Sequence, residues 1–233
     1  MAKLKKQHMT IHWKAIVQDD SSIPATEATL KEKATLVGRI GLMMLSVGTG
    51  AWRVRNSMNK VARCLGITCT ADIGLLAISY TCIEGTDTYT QSISNPTTGV
   101  NTHKLMQLEL FMKEFPDKVS TYSVKHIHEV LDEIQKLPAN YKAWNLGLAS
   151  ALACGAFTFL LGGGPVEMCC AFLGAGVGNF VRKKMLGHSI SLLANVAVSV
   201  AASCLVYVLT ILLAQSLLSV SAVHQAGYIC AML

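Results

Sequence analysis

Apolar residues recur at helical spacing from Ala28 to Val47 (Leu36, Val37, Ile40, Leu42, Met43, Met44, Leu45) and predict a helix that Gly48-Thr49-Gly50 breaks. A second helix is predicted over Ala51–Leu65, with Trp52, Val54, Met58, Val61, Ala62 and Leu65 as its buried stripe and Gly66 as its C-terminal cap. Arg53, Arg55, Lys60 and Arg63 fall mostly on its other faces. After Gly66 the period changes. Ile67–Ala71 and Ile73–Ile83 are short, apolar and β-branched, Thr88–Ile93 alternates, and Glu84-Gly85-Thr86-Asp87 is a turn signal. Beyond a loop at Asn95–Gly99, two more helices are expected: Thr102–Phe115, stopped by Pro116, and Ser123–Leu137, stopped by Pro138. Residues 26–140 therefore read as an α+β domain behind a flexible tail of residues 1–25.

From Ala143 the amphipathic pattern gives way to long apolar runs. Helices are predicted at about 144–161, 166–181 and 189–214, joined by the tight turn Gly162-Gly163-Gly164-Pro165 and by a stretch opened by Arg182-Lys183-Lys184. A polar-leaning turn at Ser216–His224 precedes a further apolar run, 226–233, which reads as the start of a fourth span cut off at Leu233.

Charge sharpens this division. Of the 34 Asp, Glu, Lys and Arg residues, only Glu167, Arg182, Lys183 and Lys184 lie among the 91 residues from Ala143 onward. A charge at the centre of a bilayer costs about 2.5–3.5 kcal/mol on insertion scales, so such depletion is expected of an all-α transmembrane bundle. The mean hydropathy of +0.42 and net charge of +6 average two unlike halves. The positive excess fits a membrane protein with basic cytoplasmic loops, and without aromatic-basic interleaving no nucleic acid is expected as a partner. The eight cysteines form no C-x-x-C pair and read as small buried hydrophobes. The first residues are basic but lack the apolar core of a signal peptide.

The basic trio sets an orientation. Arg182, Lys183 and Lys184 should face the cytoplasm, and two crossings back along the chain place the amino-terminal domain on that side as well. The lipid bilayer is thus an expected partner, and the cell (inner or plasma) membrane the expected location.

Few residues offer chemistry. Glu167, the one acid of the membrane half, is either a carboxylate for proton coupling or substrate, or an interfacial acid favoured by the helix N-terminus. Asn179 and Asn195 could line a path or make packing hydrogen bonds. Gly147, Ala151 and Gly155, and Gly174 with Gly178, form rows that let helices approach closely. His126 and His128 with Glu129 and Glu133 resemble a metal cluster only loosely, and Ser79 or Ser94 with His103 and Asp87 has no spacing that argues for a triad. No enzyme signature, metal site or cofactor is expected.

The run GRIGLMMLSVGTGAWRVRNSMNKVARCLGI (Gly38–Ile67) resembles the start of the threonine/serine exporter (ThrE-like) family. The resemblance continues in order through GVNTHKLMQLELFMKEF (Gly99–Phe115), GGGPVEM (Gly162–Met168) and GNFVRKKML (Gly178–Leu186). It implies a cytoplasmic α+β domain followed by transmembrane helices, and export of small polar metabolites, threonine- or serine-like amino acids or small carboxylates, on the proton gradient. It also implies an acid at Glu167 and a histidine at His103, and likens this chain to the longer subunit of split exporters, which work with a companion membrane protein or as oligomers. One departure is that the family's Pro-Gly-Phe-Pro segment would fall beyond Leu233. The alternative reading is a membrane-tethered metabolite-binding or regulatory module without transport of its own.

Overall fold

The computed structural model describes residues 13, 23–74, 77–95, 99–138, 143–186 and 192–218, and the chain divides into two units, Met1–Ala139 and Asn140–Leu233. Unit 1 runs α1 (Leu30–Ser46), α2 (Ala51–Cys64), β1 (Thr68–Ile73), β2 (Ala77–Glu84), β3 (Asp87–Ser94), α3 (Thr102–Lys118) and α4 (Val124–Lys136). Thr29 and Glu32 form a capping box that starts α1, each satisfying the other's main-chain N–H. At the end of α2 the Ile67 N–H donates to the Ala62 carbonyl at 3.0 Å while Gly66 takes φ 74°, a left-handed turn that favours glycine and delivers the chain into β1.

The sheet is antiparallel in the order β1-β2-β3. Alternation divides it into two faces. Ile78, Tyr80, Cys82 and Ile93 are buried, with α1 packed on β2 and β3 and α2 on β1. On the other face exposed hydroxyls pair across the strands, Ser79 with Ser92 at 3.0 Å and Thr81 with Thr90 at 2.9 Å. Val54, Met58 and Val61 of α2 join Leu108 and Phe115 of α3 and Ile127 and Leu131 of α4 in one apolar core.

Three expectations change in this unit. Trp52 is 71% exposed. At about 100° per residue it lies roughly opposite the Val54–Met58–Val61–Leu65 stripe. Pro116 does not stop α3, which continues to Lys118. A helical proline leaves the carbonyl four residues earlier without its N–H donor. That carbonyl, of Met112, accepts from Lys60 Nζ at 3.0 Å instead. Of the expected tail, residues 1–12 and 14–22 lie outside the described residues. Ala25 is fully buried with its N–H on the Tyr122 carbonyl, and Trp13 lies against Arg39 and His128.

Unit 2 runs α5 (Ala143–Leu160), α6 (Pro165–Leu186) and α7 (Leu192–Leu218), with α6 packed against both of the others. The helix expected at 166–181 extends to Leu186, so Arg182, Lys183 and Lys184 lie within its last turns rather than in a loop. Cations there complement the negative end of the helix dipole. Ser216–Leu218 remain helical, while the rest of the expected turn to His224 and the run 226–233 lie outside the described residues. Among the described residues one helix, Leu193–Leu217, is long and apolar enough to cross a membrane by length and composition; Gly147–Leu160 is a shorter apolar helix.

Candidate functional site

Glu167 is the third residue of α6 and is 5% exposed. Its Oε2 accepts the Gly164 N–H at 2.9 Å. Gly164 has no side chain with which to cap the helix, so Glu167 supplies the half of a capping box that reaches back from the first turn. Pro165 fits the first helical position because its missing N–H would have no helical partner there. The acid is therefore buried, anchored to the glycine turn and close to the positive end of the α6 dipole.

Asn179 lies on the α5–α6 seam, where its Nδ2 donates to Ser150 Oγ at 2.6 Å and to the Ala175 carbonyl at 3.2 Å. Asn195 lies on the α6–α7 seam, 2% exposed, and its Nδ2 donates to the Arg182 carbonyl at 3.3 Å. Among the described residues its buried Oδ1 has no hydrogen-bond partner. Glu167 and Arg182 stand fifteen residues apart on α6, about 22 Å along the axis. The expected polar residues thus do not form one cluster but mark the two ends and the α5 side of a single helix. His103 belongs to unit 1, half-buried in the first turn of α3.

The small residues divide in the same way. A Cβ at Gly174 would come within 2.9 Å of the Ser203 carbonyl, one at Gly178 within 2.8 Å of Ser203 Cβ, and one at Gly155 within 3.2 Å of the Met168 carbonyl. Ala151 is 2% exposed and faces Gly176. A Cβ at Gly147 would meet nothing within 4 Å among the described residues.

Three arrangements were not read from the sequence. Along α7, Asn195, Ser199, Ser203 and Tyr207 recur every four residues and are all buried. They form a polar row of about 18 Å that passes Gly178 and Gly174 of α6. The regular spacing was there to be seen, but small hydroxyls inside an apolar run are masked by the hydropathy of their neighbours. In unit 1, Arg39 is 1% exposed. Its guanidinium donates to the His128 carbonyl at 2.9 Å, meets His128 Nδ1 at 2.8 Å and pairs with Asp132, while Trp13 covers it. Burial, then the Arg39 cation, pushes the His128 imidazole down to about 4. Burial also lowers Arg39 from its ordinary value, with Asp132 opposing. His126, two residues away, is exposed and sits 3.8 Å from Glu129, so the two histidines of the loose metal pattern serve different surroundings. Cys69 and Cys82, both buried, are paired directly opposite each other on β1 and β2.

Residues 35–233 match the family described as "Putative threonine/serine exporter", ThrE. The chain belongs to the threonine/serine exporter family. The match starts within α1 and continues past α7, so membership in this transporter family rests on both units. No curated protein and no solved structure matches the chain.

Proposed function

We propose that this threonine/serine exporter family member is an integral-membrane subunit that exports small polar metabolites of the threonine and serine class. Unit 2 spans the cell membrane in several passes and unit 1 lies on the cytoplasmic side. The observation that carries this reading is that unit 2 is built inside out. Leu160, Phe180, Leu205 and Leu217 are exposed on its outside, while Thr158, Glu167, Asn195, Ser199 and Ser203 are buried between its helices. In water so large an apolar exterior would drive association; in lipid it is the solvated surface, and polar or small side chains belong at helix seams. Helices of 18, 22 and 27 residues are about 27, 33 and 40 Å long, against a hydrocarbon core of about 30 Å. The basic end of α6 supports the cytoplasmic assignment of unit 1 by the positive-inside bias.

In this reading Glu167 couples proton movement to transport. As a carboxylate it holds the Gly164 N–H by a charge-assisted bond; protonation weakens that bond and loosens the glycine turn between α5 and α6. The α7 row of Asn195, Ser199 and Ser203 offers hydroxyls and an amide to a polar substrate when the α6–α7 seam opens. A companion membrane subunit or further copies of the chain complete the pathway.

The test is threonine and serine efflux from cells, and from proteoliposomes containing any companion subunit, with Glu167→Gln at matched membrane abundance. Gln preserves an acceptor for Gly164 but cannot titrate. Efflux is expected to fall at least tenfold, and wild-type efflux would leave Glu167 with a capping role alone.

A further inference from the structure

Unit 1 carries a cleft of about 230 Å³ between α1, α2 and α3. Its walls bring Arg53, Lys60 and Lys113 together with a single carboxylate, Glu109. Two of the cations are held in place. Arg53 pairs with Glu109 across the cleft, and Lys60 Nζ is pinned to the Met112 carbonyl that Pro116 leaves open. An ammonium has three protons, so Lys60 keeps two for a ligand; the Arg53 guanidinium keeps donors in its planar fork. Met44 and Met112, both buried, contribute an apolar lining, and Trp52 stands exposed at the cleft.

We propose that this cleft binds a small aliphatic carboxylate, amino acids among them, with its carboxylate on Lys60 and Arg53 and its short stem on Met44, Met112 and Trp52. The size is below that of drug-sized pockets, which run from about 300 Å³ upward. Inorganic phosphate could use the same cations but would leave the exposed Trp52 uncovered. An amino acid adds an ammonium that Glu109 can accept. The half-exposed Arg53–Glu109 pair is weak enough for a ligand to reorganise it. This inference does not rest on transport by unit 2.

The experiment uses the full chain in detergent, with Trp13→Phe and Trp144→Phe making Trp52 the sole tryptophan. Its emission is followed during titration with L-threonine, propionate and inorganic phosphate, and calorimetry of the unaltered chain runs in parallel. A saturable response to L-threonine or propionate is expected, weakened at least tenfold by Lys60→Met and unchanged by Glu167→Gln. Pro116→Ala, which keeps the Lys60 charge but offers the Met112 carbonyl a helical N–H, is expected to weaken it several-fold. No saturable response by either method, undiminished binding in Lys60→Met, or an equal response to phosphate would each overturn the proposal. Efflux is measured separately, so binding without efflux counts against the exporter reading alone, and efflux without binding against the cleft alone.

Discussion

Lys60 Nζ stands 3.0 Å from the main-chain carbonyl of Met112, joining α2 to α3 at the acceptor that Pro116 deprives of its helical donor. A proline inside a helix costs about 3 kcal/mol in isolation. Here the cost is limited because the proline lies in the final turns and the orphaned carbonyl has a side-chain partner. Lys60→Met is expected to lower stability by about 1 kcal/mol, the typical net value of one hydrogen bond. In a Pro116→Ala background the same change should cost less, because the substituted alanine would supply a main-chain N–H to the same carbonyl. A double-mutant cycle on denaturation midpoints checks this, and purely additive effects would refute the link.

Acid should weaken unit 1 through His128. Its Nδ1 meets an Arg39 N–H donor, which assigns the ring proton to Nε2 and requires the neutral imidazole. With the folded value pushed down to about 4 from 6.5, the unfolded chain binds a proton between those pH values that the folded chain does not. Stability therefore falls as pH drops from about 6.5 and the loss is complete below about 4. At about 1.4 kcal/mol per pH unit, the total is on the order of 3 kcal/mol. Thermal midpoints from pH 7.5 to 4 should show this slope, and His128→Phe should flatten it.

Arg39→Met is expected to destabilise unit 1 by roughly 2–4 kcal/mol, since it breaks a buried ion pair from one side. Arg39→Lys should recover only part of this, because an ammonium cannot reproduce the fork that reaches the His128 carbonyl and Asp132 together. Chemical denaturation of the three proteins, followed by unit 1 circular dichroism, compares them. Equal stability of the Lys variant and the native chain would show that charge alone matters.

Gly174→Ala should separate α6 from α7. Its new Cβ would press on the Ser203 carbonyl, a backbone atom that cannot rotate away. A loss of roughly 1–3 kcal/mol is expected. Gly147→Ala should change stability by less than about 0.5 kcal/mol or raise it slightly, because the site is open and alanine favours helix. Unfolding in mixed detergent micelles measures both, and a similar cost at Gly147 would contradict the assignment of the contact to Gly174.

Glu167→Ala should cost about 1 kcal/mol through loss of the α6 cap, whereas Glu167→Gln keeps an acceptor for the Gly164 N–H and should cost less. Comparing the two variants' unfolding midpoints separates the capping role from any effect of charge on efflux. Equal losses would mean that charge, not the hydrogen bond, holds the turn.

Hydrophobic period and punctuation were legible wherever a residue's role depends on its near neighbours. The order of α1, α2, three strands, α3 and α4 followed from changes of period and from Gly66 and Gly85. The three apolar helices of unit 2 followed from charge depletion. Helix ends were less legible, since α3 passes Pro116 because of Lys60, fifty-six residues away in sequence, and α6 carries its basic trio as helix rather than loop. Family resemblance was likewise legible, because the order of segments is a property of the chain itself.

What only the tertiary structure decided is which polar groups are partnered, and by whom. Glu167 and the Arg182 carbonyl that holds Asn195 of α7 lie near opposite ends of α6, and the polar row of α7 meets the glycines of α6. Arg39 is buried against His128, and Cys69 lies opposite Cys82. Each of these depends on contacts between residues distant in sequence. Burial makes such contacts decisive, because a polar atom removed from water must find its partner wherever the fold has brought one within about 3 Å.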